Sequence, residues 1–206
     1  MHNLKGRGLD KALSMDTVDI EAVKRAGLSI HFDLFRQKGA RGVSFEDRYR
    51  LKTYGICAQK HPGYFMLRQR VPGGALTFEQ VAGLVAICET HGRGLAHITT
   101  RQSLELHWVR LEEVQPIFEK LQAIGITTRS ACGHTIRNLV ACPHGSIAAE
   151  GLFDLSPWAE RIADYYTRQA ESINTELPSR LNVYFSGCAQ CDADASCAWT
   201  DPNAQK

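Results

Sequence analysis

The chain has 206 residues, 44% of them hydrophobic, with a formal net charge of +2 at pH 7, which suits one or two compact domains. The near-neutral balance and the lack of a Lys or Arg run argue against a nucleic-acid-binding protein. No apolar stretch approaches the ~18 residues of a membrane span and the N-terminus does not resemble a signal peptide, so we expect a cytoplasmic protein without membrane association.

The N-terminal region, residues 1–62, has little hydrophobic periodicity. We expect it to form an extended arm that lies over another part of the molecule, with a helical turn or two over residues 45–54. Cys57, near its end, has apolar neighbours and is predicted to be a small core residue, as is Cys88 further on.

The central segment, residues 63–130, predicts a β-α-β-β-α-β order, which is a ferredoxin-like α+β unit. Its first strand covers residues 64–71 and ends at a Pro-Gly-Gly turn. Alternation along that strand places Arg68 and Arg70 on one face. Two guanidiniums on one face indicate an anionic partner, although a solvated strand face is the alternative.

Two helices of this unit are well marked. Thr77 and Gln80 form a capping box at the start of the first, and Gly92 is its predicted stop. Its apolar positions, predicted to face inward, are Phe78, Val81, Val85 and Cys88. The second covers about 112–124, with an inward stripe of Val114, Ile117, Phe118, Leu121 and Ile124. In the strand before it, the alternation predicts Leu104, Leu106 and Trp108 on one face.

The C-terminal region, residues 131–206, begins with a loop that contains Cys132 and Cys142. A helix is predicted from Ser156 to about residue 174, and a strand over 180–186. The side chains that this helix is expected to bury are Trp158, Ile162, Tyr165 and Ile173. The last residues form a polar, irregular tail with three more cysteines.

Four motifs of this sequence are familiar as a set: PGYFMLRQRVPGG, HITTRQSLELHW, ACGHTIRNLVACP and LPSRLNVYFSGC. In this order and spacing they resemble the sirohaem-dependent nitrite and sulfite reductase family. The resemblance implies an N-terminal arm (1–62), a ferredoxin-like half-domain (63–130) and part of a sirohaem- and [4Fe–4S]-binding domain (131–206). It also implies a six-electron reduction of nitrite or sulfite.

The resemblance assigns the arginines to sirohaem, whose carboxylates a guanidinium can grip with two parallel hydrogen bonds. The implied cofactor contacts are Arg68, Arg70, His97, Thr99, Arg101, Arg137 and Asn138. The implied catalytic residues are Arg68, Arg137, Arg180 and Asn182. His97 stands where many relatives carry Arg. The stretch LPSRLN shares its Asn with nitrite-type relatives but departs from both family patterns, so the substrate stays open.

The family's iron–sulfur cluster is held by about four cysteines of a second half of the protein. In this chain the candidate metal ligands are Cys188, Cys191 and Cys197, with His144 or Cys142 as a fourth. Cys132 and Cys142 are further candidates, as relics of the repeat that carries ligands in the second half. The alternative for the tail is incidental thiols.

Several interpretations therefore remain open. The chain is the N-terminal half or a split subunit of a reductase, which would need a second half or subunit and an electron donor such as ferredoxin or a flavoprotein. Alternatively, it is a non-catalytic interaction module of that fold, or a small cysteine-ligated metal or iron–sulfur protein. The half-domain also resembles that of a cobalamin-pathway monooxygenase, which handles a carboxylated tetrapyrrole too.

Overall fold

The computed structural model describes residues 18–143 and 154–187. The helices are α1 (Ile20–Arg25), α2 (Phe32–Lys38), α3 (Phe45–Thr53), α4 (Phe78–His91), α5 (Val114–Ala123), α6 (Ser156–Arg168) and α7 (Ala170–Glu176). The strands are β1 (Ile56–Ala58), β2 (Tyr64–Gln69), β3 (Ala96–Ile98), β4 (Leu104–Arg110), β5 (Val140–Ala141) and β6 (Tyr184–Phe185). In the described ranges, no helix combines the length and apolarity needed to cross a bilayer.

The main sheet is antiparallel, in the order β1-β2-β4-β3. A bridge between Arg70 and Thr127 brings the chain after α5 alongside the end of β2. The sequence β2-α4-β3-β4-α5 followed by this bridge is the predicted ferredoxin-like α+β arrangement, which is confirmed. The second sheet is a short parallel pair of β5 and β6.

The core lies between the sheet and the two helices of this unit. Ile117 and Leu121 of α5 are buried against the sheet residues Leu67 and Leu106, with Val114 beside them. Phe118 and Ile124 pack at the margin of the same cluster. The inward stripe predicted for α5 is therefore confirmed.

Helix α4 begins as predicted but turns a different face to the core. The capping box of Thr77 and Gln80 is present, and Gly92 is the C-cap. The buried residues are Leu84, Ile87 and Cys88, whereas Phe78, Val81 and Val85 are exposed. The predicted inward face was wrong for these three residues. Gly83 explains the choice: a Cβ there would lie 2.8 Å from an Ile124 methyl group, so this face packs closest to α5.

Strand β4 contains a bulge that changes which residues reach the core. Leu106 pairs with Leu67 and Val109 with Phe65, so one extra residue is accommodated between them. Trp108 takes a φ of 63°, in the left-handed region. As a result Val109, and not the predicted Trp108, is buried.

The described part of the N-terminal region, residues 18–62, is helical rather than an extended arm. Helix α3 starts at a capping box formed by Ser44 and Asp47, and Phe35 and Leu51 join the core of the main sheet. These helices depend on caps and a few buried side chains and not on a continuous apolar stripe, which is why periodicity missed them. The region also supplies the edge strand β1.

The predicted C-terminal helix is broken at Gln169 into α6 and α7. Trp158 and Tyr165, predicted to be buried, are exposed. Small side chains are buried in their place: Ala159, Ala163 and Ala170. The Cβ position of Gly73 is 3.5 Å from the Cβ atoms of both Ala159 and Ala141, so α6 packs tightly on the Pro-Gly-Gly turn.

Candidate functional site: an arginine-lined cavity

Two cavities, of about 310 and 390 Å³, share Arg68, Arg137 and Arg180 in their walls. Together we call them the basic cavity. The first is also lined by Thr99, Thr100, Arg101, Ser103, Glu105, Ala131 and Asn138. The second is also lined by Lys52, Cys57, Cys132, Gly133, His134 and Ser179. Four guanidiniums from separate segments thus meet one carboxylate, which makes the cavity suited to anions.

Arg68 is held by a carboxylate of the neighbouring strand. It lies opposite Glu105 in the β2–β4 register, and its Nε donates a hydrogen bond of 2.8 Å to Oε1. A second guanidinium nitrogen donates to the same oxygen. Burial alone would lower the pKa of Arg68, but the Cys132 and Glu105 side chains raise it above its ordinary value. The Glu105 carboxylate of the same chain is therefore one anionic partner of the kind that the sequence predicted for Arg68.

Arg137 is a partly buried cation with an unused donor. Its backbone N–H donates to the Leu181 carbonyl at 2.9 Å, and one guanidinium nitrogen donates to the Ala131 carbonyl. Its Nε is buried and meets no hydrogen-bond acceptor within the described ranges. Burial lowers the pKa of Arg137, and Cys132 opposes that shift.

Arg101 is positioned by two neighbours that were predicted to contact the cofactor. The Thr99 hydroxyl accepts from the Arg101 backbone N–H at 3.3 Å, which forms the turn. Asn138 is 2% exposed, and its side-chain amide donates to the Arg101 carbonyl at 2.8 Å. It also accepts from the Val71 N–H at 3.0 Å. Asn138 therefore links the Arg101 turn to the end of β2.

Arg70 lies outside the basic cavity, unlike its predicted partner Arg68. It is 2% exposed, and its guanidinium points at the Arg129 and Arg137 carbonyls, each 3.5 Å away. Burial lowers the pKa of Arg70 to about 10. Regular pairing of β2 with β4 ends at Gln69, and the next residue, Arg70, is bridged to Thr127 instead. The alternation that placed both arginines on one wall therefore stops before Arg70.

His97 also lies apart from the basic cavity, in a cluster with Glu105 and His107 whose ligand atoms lie within 4.8 Å of one another. The Gln59 carbonyl oxygen accepts from the Trp108 N–H at 2.9 Å, so its amide nitrogen donates to His107 Nδ1 at 2.7 Å. The proton of a neutral His107 then sits on Nε2, towards Glu105. Burial and His97 lower the pKa of His107, and its Nε2 lies 3.6 Å from Glu105 Oε2, with no hydrogen-bond partner among the described residues.

The other predicted residues are divided between several places. Arg180 lines both parts of the basic cavity, whereas Asn182 is exposed and is not among the residues of its walls. Cys132 lines the basic cavity, but Cys142 lines a separate one, so the structure does not bring these two candidate metal ligands together. The remaining predicted ligands lie outside the described residues: His144, Cys188, Cys191 and Cys197.

Cys57 and Lys52 are among the residues of the cavity wall that sequence reasoning missed. Cys57 is partly exposed rather than a core residue, and it is hydrogen-bonded to Cys132. The available signal was Gly55, just before β1. A Cβ on Gly55 would lie 2.6 Å from the Arg68 carbonyl and 2.8 Å from that of Thr128, so only glycine allows these segments to meet.

The donor set fits one of the two cofactors that the sequence implied. Several guanidiniums around a cavity suit the carboxylates of sirohaem. A cubane cluster needs about four thiolates. Of the cysteines within residues 18–143 and 154–187, only Cys57 and Cys132 meet, so this part of the chain does not assemble a cluster site.

Comparison with known proteins agrees with the fold and the motifs. Residues 58–124 match the model of the nitrite/sulfite reductase ferredoxin-like half domain. The structure superimposes on the NirA protein of Mycobacterium tuberculosis with a TM-score of 0.74 and 25% identity, over 81% of this chain and 34% of that one. The chain belongs to the nitrite/sulfite reductase family.

Two curated members of the family illustrate the extent of the match. A ferredoxin–nitrite reductase of Leptolyngbya laminosa is 31% identical over 172 residues, which cover 80% of this chain and 34% of the relative. A ferredoxin-dependent sulfite reductase of Mycolicibacterium paratuberculosis is 32% identical over 173 residues, covering 75% and 31%. The chain thus spans about a third of the length of the curated relatives it matches.

Proposed function

We propose that this chain supplies the N-terminal, arginine-bearing part of a cytoplasmic sirohaem and [4Fe–4S] reductase of nitrite or sulfite. It would act either within a longer polypeptide or as a split subunit. The observation that carries the proposal is the convergence of Arg68, Arg101, Arg137 and Arg180 on one cavity that holds a single carboxylate. Family membership supports the same assignment.

The division of labour would follow the predicted domains. The region of residues 1–62, of which Phe35 and Leu51 join the main core, would support the half-domain of residues 63–130, and the region of residues 131–206 would contribute Arg137 and Arg180. A second half would supply most of the ligands of the cluster. The names of the relatives support ferredoxin as the electron donor, with a flavoprotein as the alternative.

The arginines would perform two tasks. Arg101 and Arg137 would pair with carboxylates of the sirohaem, because both residues line the cavity and a guanidinium can bind a carboxylate through two hydrogen bonds. Arg68 and Arg180 would neutralise the charge of the oxyanion and keep it oriented. When bound, the sirohaem would supply the iron and the electron storage that protein side chains lack.

Titration of the purified chain with sirohaem, followed by visible absorption, tests this proposal. We expect Arg137→Ala and Arg101→Ala each to weaken binding by about 10- to 100-fold, since a hydrogen bond to a charged group contributes about 1.5–3 kcal/mol. Arg168→Ala is the matched control, because Arg168 is exposed and pairs with Asp164 on its own helix. Equal binding by all three variants would contradict the pocket assignment.

Co-expression with a second reductase half and a supply of sirohaem tests the activity itself. A pigmented complex that reduces nitrite or sulfite with reduced ferredoxin is the expected result. A folded but colourless mixture would favour the non-catalytic interaction module. The direct titration separates loss of the pocket from failure of the two halves to assemble.

A further inference from the structure

Two cysteines from distant parts of the sequence meet in the wall of the basic cavity. Cys57 lies in the edge strand β1, and Cys132 lies in the loop that follows the Thr127 bridge. Both line the cavity of about 390 Å³, and their sulfur atoms are hydrogen-bonded. The backbone holds them there, because the Ser130 N–H donates to the Thr53 carbonyl at 2.7 Å.

The surroundings distinguish the two sulfur atoms. The hydrogen bond from Cys57 lowers the pKa of Cys132 to about 6, against burial, and Arg68 and Arg137 lower it further. The same hydrogen bond raises the pKa of Cys57, and burial adds to that shift. These shifts favour the thiolate form at Cys132 and the thiol form at Cys57.

We propose that Cys57 and Cys132 form a reversible disulfide inside the basic cavity, with Cys132 as the nucleophile that reacts with a peroxide. The geometry carries this proposal: two cysteines from distant segments line one cavity together with two guanidiniums, and the cavity is open to small molecules. Neither the reductase chemistry nor sirohaem binding uses this pair, so the proposal does not depend on them.

The reaction balances with hydrogen peroxide as the oxidant. The Cys132 thiolate attacks one peroxide oxygen, the O–O bond breaks, and the departing hydroxide takes a proton from solvent to leave as water. Cys132 is then a sulfenic acid. The Cys57 sulfur attacks the Cys132 sulfur, the S–O bond breaks, and water leaves with the Cys57 proton. The two thiols lose two electrons, and the peroxide becomes two molecules of water.

The disulfide would change the charge of the cavity. Oxidation removes the negative charge of the Cys132 thiolate, which lies beside Arg68 and Arg137. Both guanidiniums would then face the cavity with less compensation. The state of the thiol pair would therefore set how strongly the cavity attracts anions.

Peptide mapping of the full chain tests the proposal without any cofactor. The reduced protein is treated with hydrogen peroxide at pH 7 in a chelator, alkylated, digested and analysed by mass spectrometry. We expect a peptide that joins Cys57 to Cys132 and that dithiothreitol separates. The peptide map is used instead of a count of free thiols, because the chain has seven cysteines and those of the C-terminal tail would also contribute to such a count. Alkylated Cys57 and Cys132 after treatment would overturn the proposal.

Single variants assign the roles of the two sulfur atoms. In Cys57→Ser, Cys132 should stop at the sulfenic acid and be labelled by dimedone. Cys88→Ser is the matched control and should still form the cross-link, because Cys88 is buried and burial raises its pKa. Dimedone labelling of Cys57 in Cys132→Ser, with none of Cys132 in Cys57→Ser, would reverse the assignment. If a variant fails to fold, the map of the unaltered chain still decides the cross-link.

Discussion

The two faces of the main sheet are built for different purposes. On one face Leu67 and Leu106 are covered by α4 and α5, and the side chains are apolar and mutually packed. On the other, Arg68 and Glu105 form a cross-strand ion pair at the wall of the basic cavity. Neighbouring residues of the same two strands thus serve opposite faces.

This difference shows where stability and binding are located. The apolar face gains from burial of whole side chains, which is worth about 1.5–3 kcal/mol for each large one. The basic face contains like charges and a buried Arg137 donor that meets no acceptor among the described residues, an arrangement that costs stability. Substitutions on the two faces should therefore separate folding from binding.

The largest effect is expected on the apolar face. Ile117→Ala should lower the free energy of unfolding by about 2–5 kcal/mol, because Ile117 is fully buried and its removal leaves a cavity. Urea unfolding followed by circular dichroism measures this. Glu119→Ala, on the exposed side of the same helix, is the control and should change little. A loss below 1 kcal/mol for Ile117→Ala would mean that α5 is not part of the main core.

A smaller loss of unfolding free energy, together with weaker anion binding, is expected for a substitution of Asn138, which links the two faces. Asn138→Ala should lower the free energy of unfolding by about 1–3 kcal/mol, because the buried Val71 N–H loses its acceptor. It should also weaken anion binding, since the Arg101 carbonyl loses the amide that holds its turn. Gln37→Ala, at an exposed position of α2, is the control. Unchanged unfolding and binding in Asn138→Ala would show that the turn is held by other contacts.

The free energy of unfolding should fall by about 1 kcal/mol when the N-terminal cap of α4 is removed. In Thr77→Ala the Gln80 backbone N–H has no side-chain acceptor from the capping residue. Thermal and urea unfolding should both report the change, with anion binding unaltered. Thr77→Ser keeps the hydroxyl and should behave like the original chain. A serine variant as unstable as the alanine variant would point to the methyl group and not to the cap.

The smallest effect is expected at the outer face of α4. Phe78→Ser should change the free energy of unfolding by less than about 0.5 kcal/mol, because Phe78 is 83% exposed. Leu84→Ser, on the buried face of the same helix, is the contrast and should be strongly destabilising. Comparable losses in both variants would show that α4 packs through the face predicted from its sequence.

Much of the fold was predictable because its signals are local. The capping box at Thr77, the stop at Gly92 and the apolar stripe of α5 involve residues within a turn or two of one another. The orientation of α4 was not predictable, since apolar residues occupy two of its faces. Only the contact of Gly83 with Ile124 of the neighbouring helix selects one of them.

The candidate site was predictable in its residue types but not in its arrangement. The motifs identified Arg68, Arg101 and Arg137, and these side chains do line one cavity. The same strand pattern placed Arg70 with them, but the chain leaves the regular sheet there and buries it elsewhere. The ion pair of Arg68 depends on the β2–β4 register, which periodicity does not specify.

By itself the sequence determined the order of helices and strands in the half-domain, the cap and stop of α4 and the supply of arginines, because these depend on neighbouring residues and on hydrophobic spacing. Tertiary structure alone decided which arginines share a cavity, which face of α4 is buried and that Cys57 meets Cys132. Those outcomes depend on contacts between residues far apart in the chain, where strand register and close packing choose among arrangements that are locally equivalent.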